Sequence, residues 1–160
     1  MDIFDEEVLS LWKAFHRNDF QYIMVGDVPT TLNGFSRITA NLDIWLKDTQ
    51  QNRIRLRKSL AEIDLVDLPQ IERIDFIPGW SSIRLNSGMD LDLMTYIKGF
   101  EQETFDACYQ SAPTAFIFEI PIKFLHINHL IVSKKACDRP KDKIDVLELE
   151  RIKAEREGLL

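Results

Sequence analysis

Tyr22-Ile-Met-Val-Gly-Asp27, followed by Asn41-Leu-Asp-Ile-Trp-Leu46, is the pair of segments that decides how the rest of the chain is read. The first is an apolar run ending on glycine, the pattern of a buried strand entering a tight turn. The second, taken from Thr39 to Leu46, alternates well enough to be a strand, so Asn41 and Asp43 project from the same face. Two oxygen donors in that relation could hold a hard cation such as Mg²⁺, a geometry suited to phosphoryl transfer. Between the strands, Pro29 fits the first turn of a short helix over Pro29 to Asn33, stopped by Gly34.

Working outward, Val8, Leu11, Trp12 and Phe15 recur at helical spacing and predict an amphipathic helix from Asp5 to Arg17. Thr49 to Ile63 reads as a helix with Ile54, Leu56, Leu60 and Ile63 inward and Arg53, Arg55, Arg57 and Lys58 mostly on its wet side. Ser82-Ile-Arg-Leu85 and Met89-Asp-Leu-Asp-Leu-Met94 flank a polar turn with glycine, a hairpin signal. In its second strand Met89, Leu91 and Leu93 share one face, and Asp90 and Asp92 the other. Phe100 to Tyr109 reads as helical, and Ala115 to Leu125 as extended or hairpin structure interrupted by Pro121. Asn128 caps a helix from His129 to Cys137, and Arg139-Pro-Lys-Asp142 opens a last amphipathic helix carrying Ile144, Leu147, Leu149 and Ile152. The order predicts an α+β or α/β domain, a small mixed sheet packed by helices with a helical carboxy-terminal part. It is one domain over 1–160, with an amino-terminal helix (1–19), a sheet-bearing core (20–125) and carboxy-terminal helices (126–160).

A chain of 160 residues with 45% hydrophobic and 29% charged residues can bury one proper core. Its formal charge of −6 argues against coating nucleic acid by bulk electrostatics, although a local basic patch could still bind phosphate. Cys108 and Cys137 lack a paired metal spacing and read as reduced structural thiols, which implies a cytoplasmic setting. The opening Met-Asp-Ile-Phe-Asp-Glu-Glu is acidic where a signal peptide is basic, and no apolar run approaches a membrane span, so no membrane association is expected. His16, His126 and His129 lack a zinc-binding pattern. Phe76, Trp80, Phe100 and Phe105 read as packing residues, with Phe76-Ile-Pro-Gly-Trp-Ser81 leading into the hairpin and able to rim an acceptor side.

Nucleotidyl transfer needs a bound triphosphate, a divalent cation and an acceptor hydroxyl aligned on the α-phosphorus. Carboxylates on adjacent strands suit this because a sheet holds them rigidly, about 4.8 Å apart between strands. Asp43 and Asp92 are the natural catalytic pair, with Asn41, Asp43 and Asp92 as metal ligands and Asp92 placed to accept the hydroxyl proton. Gly26 would let the backbone approach the outer phosphates.

Val25-Gly26-Asp27, Asn41-Leu42-Asp43 and Asp92 together resemble the motifs of the nucleotidyltransferase fold of the polymerase beta type. The closer resemblance is to small bacterial AbiEii-like and minimal nucleotidyltransferases. Leu32-Asn-Gly-Phe-Ser-Arg-Ile-Thr39 is similar to their His-Gly-x-x-Arg-x-Thr segment. The segments His129 to Ala136 and Arg139-Pro-Lys-Asp-Lys-Ile-Asp145 are similar to their carboxy-terminal Lys and Arg-x-Lys-Asp-x-x-Asp pattern. The likeness runs from about Phe20 to Leu149 and is specific in combination. It implies a nucleoside triphosphate donor, Mg²⁺ or Mn²⁺ as cofactor, and a hydroxyl on RNA, protein or a small molecule as acceptor. Arg37 and Lys141 would then contact phosphate, with Lys134 or Lys135 adding positive charge. The bland alternatives are that Arg37 pairs with an acidic neighbour, Lys141 lies on a helix's first turn, and Asp142 and Asp145 cap or form ion pairs.

Three positions depart from the pattern. Asp27 puts a negative side chain where phosphate oxygens would lie, among the nucleotide-binding candidates Gly26, Asp27, Arg37 and Lys141. Asn41 stands where a carboxylate is expected and neutralises no cation charge. Asn33 replaces a histidine. The rival expectation is therefore a catalytically inactive binding module of a toxin-antitoxin or defence system, with an antitoxin or other helical protein as partner; a homodimer is compatible with either.

Overall fold

The computed structural model describes residues 5–39, 41–65, 67–78 and 80–158. The expectations that touch residues 1–4, 40 and 79, in the acidic leader, the second strand's start and the Phe76–Ser81 loop, lie at those positions outside the described residues. Helix α1 (Glu6–Arg17) begins where Asp5 Oδ1 accepts the Glu7 N–H at 3.0 Å, satisfying a donor that a helix start leaves open. Its Val8, Leu11, Trp12 and Phe15 are buried, as their spacing requires. Strand β1 (Tyr22–Val25) runs into Gly26, and helix α2 (Asp27–Leu32) starts at once, two residues ahead of Pro29. Strand β2 (Asn41–Leu46), helix α3 (Gln50–Glu62) with Thr49 as its cap, and the hairpin of β3 (Ser82–Arg84) with β4 (Asp90–Met94) occupy the places expected of them.

The fold is α+β, with a mixed sheet ordered β1-β2-β4-β3. β1 is antiparallel to β2, setting Val25 opposite Asp43, and β2 is parallel to β4, setting Asp43 opposite Asp92. Each sheet face has its own core, because strand side chains alternate. Met24, Leu42, Ile44, Leu91 and Leu93 pack on the side of Leu11 and Leu56 from α1 and α3. Ile23, Val25, Trp45 and Met94 pack on the side of α4 (Phe105–Ser111), α5 (Ile127–Cys137) and α6 (Pro140–Arg156), through Phe105, Leu130 and Leu149. Each such side chain contributes roughly 1.5–3 kcal/mol when fully buried. Asn41, Asp43 and Asp92 interrupt that second apolar face at one end of the sheet.

Several local expectations change. The helix after β4 is shorter than Phe100 to Tyr109: a 3₁₀ turn at Gln102–Thr104 precedes α4. The hairpin expected over 115–125 is present, as strands β5 (Thr114–Ile117) and β6 (Ile120–Lys123) turning on Phe118 and Glu119, both at positive φ. The chain then stays beside β1, since the Leu125 N–H donates to Met24 O at 3.0 Å. The cap of α5 is His126, whose Nδ1 accepts the Asn128 N–H at 3.1 Å, so the helix starts before Asn128. In α6 the buried stripe is Asp142, Asp145, Val146, Leu149 and Ile152, whereas Ile144 and Leu147 face outward. Arg53, expected on a wet face, is buried: Nε donates to Asp48 Oδ1 (2.6 Å), Nη1 to the Ile71 and Ile74 carbonyls, and the guanidinium lies over the Phe76 ring. Phe76 and Phe105 are core residues, while Trp80 is exposed. Both cysteines are free. Among the described residues no helix is long and apolar enough to cross a membrane.

Candidate active site

The register of β2 against β4 brings Asp43 and Asp92 side by side, on the face opposite Leu42 and Leu91. Asn41, one strand period before Asp43, lies on the same face. Its amide nitrogen donates to both carboxylates, at 2.7 Å to Asp43 Oδ1 and 2.8 Å to Asp92 Oδ2. Asp43 is pushed up to about 7, first by burial, then by the neighbouring Asp92 and by Asp27, against the pull of the Asn41 amide. Near neutral pH Asp43 therefore retains a proton part of the time.

Gly26 is glycine for a steric reason. At φ 78° and ψ −133° it sits in backbone space that side chains avoid, and a Cβ there would lie 2.3 Å from Asp43 Oδ2. The close approach expected of this turn is thus made first by the Asp43 carboxylate. Asp27 opens α2 and is not a bare charge: Lys141 Nζ stands 3.0 Å from its Oδ2, and Lys134 Nζ 3.5 Å from its Oδ1.

These lysines belong to an ion-pair network between α2, α5 and α6. The buried Lys134 donates to Asp145 Oδ2 at 2.7 Å and lies 3.8 Å from Asp142 Oδ1. Arg37 Nε donates to Asp145 Oδ1 at 2.7 Å, and its Nη2 pairs with the same oxygen. Asp142 accepts from the Arg139 backbone N–H and side chain, which caps α6. Arg37 therefore pairs with an acidic neighbour, and Lys141 lies on the first turn of a helix. Asn33 is equally structural: buried, it donates to Pro29 O and accepts from Arg156.

A hollow of about 420 Å³ opens over the carboxylates. Its lining includes Gly26, Asn41, Asp43 and Asp92 together with Lys98, Ser133, Cys137 and Arg139, and with the apolar Pro78 and Ile97. The expected residues Gly26, Asn41, Asp43 and Asp92 are thus brought together here; Asp27 and Lys141 sit behind the glycine turn, and Arg37 lies farther along the network. Sequence reasoning did not place Lys98, Ser133, Cys137 or Arg139 in this lining. Arg139 and Ser133 lay in segments already singled out, Cys137 depends on how α5 crosses the sheet, and Lys98 on the turn that follows β4.

Among the described residues no group of three or more His, Cys, Asp and Glu side chains is placed to hold a metal ion. The donor set is instead two carboxylates and one amide. Mg²⁺ commonly takes one or two carboxylates and fills its octahedron with phosphate oxygens and water, so this set fits such an ion. The Asn41 amide nitrogen, however, now stands between the two acids, so the amide must turn its oxygen toward them before it could serve as a third ligand. Neither a protein-family model nor a curated protein sequence matches the chain.

Proposed function

We propose that the chain is a nucleotidyltransferase-type protein that transfers a nucleoside monophosphate from a nucleoside triphosphate to an acceptor hydroxyl, with Asp43 and Asp92 at the reacting centre. The observation that carries this is the meeting of Asp43 and Asp92 across β2 and β4 in a hollow that Lys98 and Arg139 also line. A divalent cation bound by Asp43, Asp92 and the Asn41 amide oxygen would neutralise phosphate charge there. Asp92 accepts the proton of the acceptor hydroxyl. Lys98 and Arg139 attract the phosphates, and the apolar side of the hollow at Pro78, Met94 and Ile97 limits water. The setting we infer is the cytoplasm.

The test is incubation with labelled nucleoside triphosphates, Mg²⁺ or Mn²⁺, and bulk RNA or protein. Transfer that disappears in Asp43→Ala and Asp92→Ala supports the proposal. Transfer that survives both substitutions rules these residues out. A second reading, a catalytically inactive module of the same fold that serves a toxin-antitoxin or defence partner, is favoured by the Asn41 amide, which already satisfies both acids. Asn41→Asp separates the two: activity in the variant but not in the parent marks the parent as a disabled relative.

A further inference from the structure

We propose that a cavity at the Tyr22 end of β1 binds a small aromatic carboxylate, its ring against Phe15, Phe20, Tyr22 and Tyr109 and its charge on Lys123. None of the residues lining the carboxylate hollow lines this cavity, so the proposal stands apart from the nucleotidyl-transfer reading. α1 and the turn after it supply Phe15 and Phe20, β1 supplies Tyr22, and α4 supplies Tyr109. The β5–β6 hairpin adds Thr114 and Lys123, register partners whose side chains share one face. An apolar cavity of about 150 Å³ accepts benzene. This one measures about 130 Å³, which suits a single six-membered ring.

The aromatic wall is preformed. Phe15, Phe20 and Tyr22 are buried and packed ring against ring, with centroids 4.7 to 5.5 Å apart, so a ligand meets surfaces that need little further ordering. Lys123 sets the sign of the ligand. Its Nζ donates to the Tyr109 carbonyl at 2.9 Å and lies 4.2 Å from the centroid of the Tyr109 ring, and among the described residues no carboxylate forms an ion pair with it. An ammonium has three donors, so this half-buried lysine has donors to spare for a ligand carboxylate. Asp19, the acid in the lining, is 83% exposed and lies 3.7 Å from Arg55 instead. Burial raises the pKa of the Tyr22 and Tyr109 hydroxyls, which therefore stay protonated at neutral pH and present further donors to an anion. An organic cation is disfavoured, because Lys123 already takes a ring face and repels a second positive charge.

The experiment titrates the full chain, followed by NMR, with sodium benzoate, benzamide, sodium acetate and benzylammonium chloride, which separate ring from charge and one sign from the other. Benzoate should bind at least about tenfold more tightly than each of the other three. Lys123→Met should weaken benzoate binding at least about tenfold and leave benzamide within about twofold. Nuclear Overhauser contacts from the benzoate ring should fall on Phe20, Tyr22 and Tyr109. Benzoate that binds no more tightly than acetate, benzamide or benzylammonium overturns the inference, as do ring contacts elsewhere on the protein or a folded Lys123→Met that keeps the parent's affinity. A thermal melt establishes whether the variant folds; if it does not, the ranking of probes and the ring contacts in the parent decide alone. Asp43 and Asp92 lie outside the cavity, so the outcome is independent of whether the chain transfers nucleotides.

Discussion

Gly26→Ala is the substitution whose cost the structure states most directly. Two effects add. The first is backbone: at φ 78° and ψ −133° a Cβ brings a penalty of about 1–3 kcal/mol. The second is contact: the new Cβ would sit 2.3 Å from Asp43 Oδ2 and 3.2 Å from its Cγ, so the carboxyl group must turn away from the Asn41 amide. Losing a hydrogen bond to a charged group costs about 1.5–3 kcal/mol. Because the carboxyl can relax partly, the lower end applies, and the total is about 3 kcal/mol. Urea denaturation of the parent, Gly26→Ala, Asp43→Ala and the double variant isolates the pair. In the Asp43→Ala background the clash is gone, and Gly26→Ala should cost only the backbone part, about 1.5 kcal/mol, roughly half its cost in the parent. An equal cost in both backgrounds would refute the claim that Asp43 dictates glycine at this turn. No cost in either would refute the backbone geometry as well.

The carboxylate pair makes stability depend on pH in a defined direction. Asp43 binds its proton more tightly folded than unfolded, so stability should fall as pH rises from its ordinary value of 3.8 to about 7 and level off above, with a slope up to about 1.4 kcal/mol per pH unit. Asp43→Asn should lack this component, and denaturation at pH 5 and pH 8 measures the difference. At pH 8, Mg²⁺ or Mn²⁺ should raise the melting temperature of the parent and leave Asp43→Asn and Asp92→Asn unmoved; equal shifts in all three would mean the cation binds elsewhere. Asp145→Ala strips the fully buried partner from Lys134 and Arg37 and should cost about 3–5 kcal/mol, whereas Lys143→Ala, on an exposed pair with Asp138, should cost under about 1 kcal/mol in the same urea assay.

What could be read from the chain was what a strand's period of two dictates. Alternation in Met89-Asp-Leu-Asp-Leu-Met94 assigned Leu91 inward and Asp92 outward, and the same rule put Asn41 and Asp43 on one face. Helix faces were less legible wherever charge is buried. In α6 the inward stripe contains Asp142 and Asp145, so a search for apolar periodicity chose Ile144 and Leu147, which are exposed. Arg53 failed in the same way: its guanidinium is satisfied by Asp48 and two carbonyls that come from 18 and 21 residues downstream, partners that no local window contains. The β5–β6 turn was obscure because Phe118 and Glu119 adopt positive φ without the glycine or asparagine that usually announces it.

The site divides along the same line, and Asn41 shows why fold and activity are separable here. Two carboxylates on adjacent strands repel, and a third at position 41 would make the apo sheet end depend on a cation. The amide carries no charge and donates to each acid, giving both an internal partner where β2 and β4 pair. Behind them, Asp27 performs the matching service for Lys141, supplying an anion where the chain itself would otherwise leave a cation open. Both side chains let the protein satisfy its own charges internally. The local chemistry at 27 and 41 thus decides which charges are paired within the chain, while the β2–β4 register alone brings Asp43 and Asp92 together.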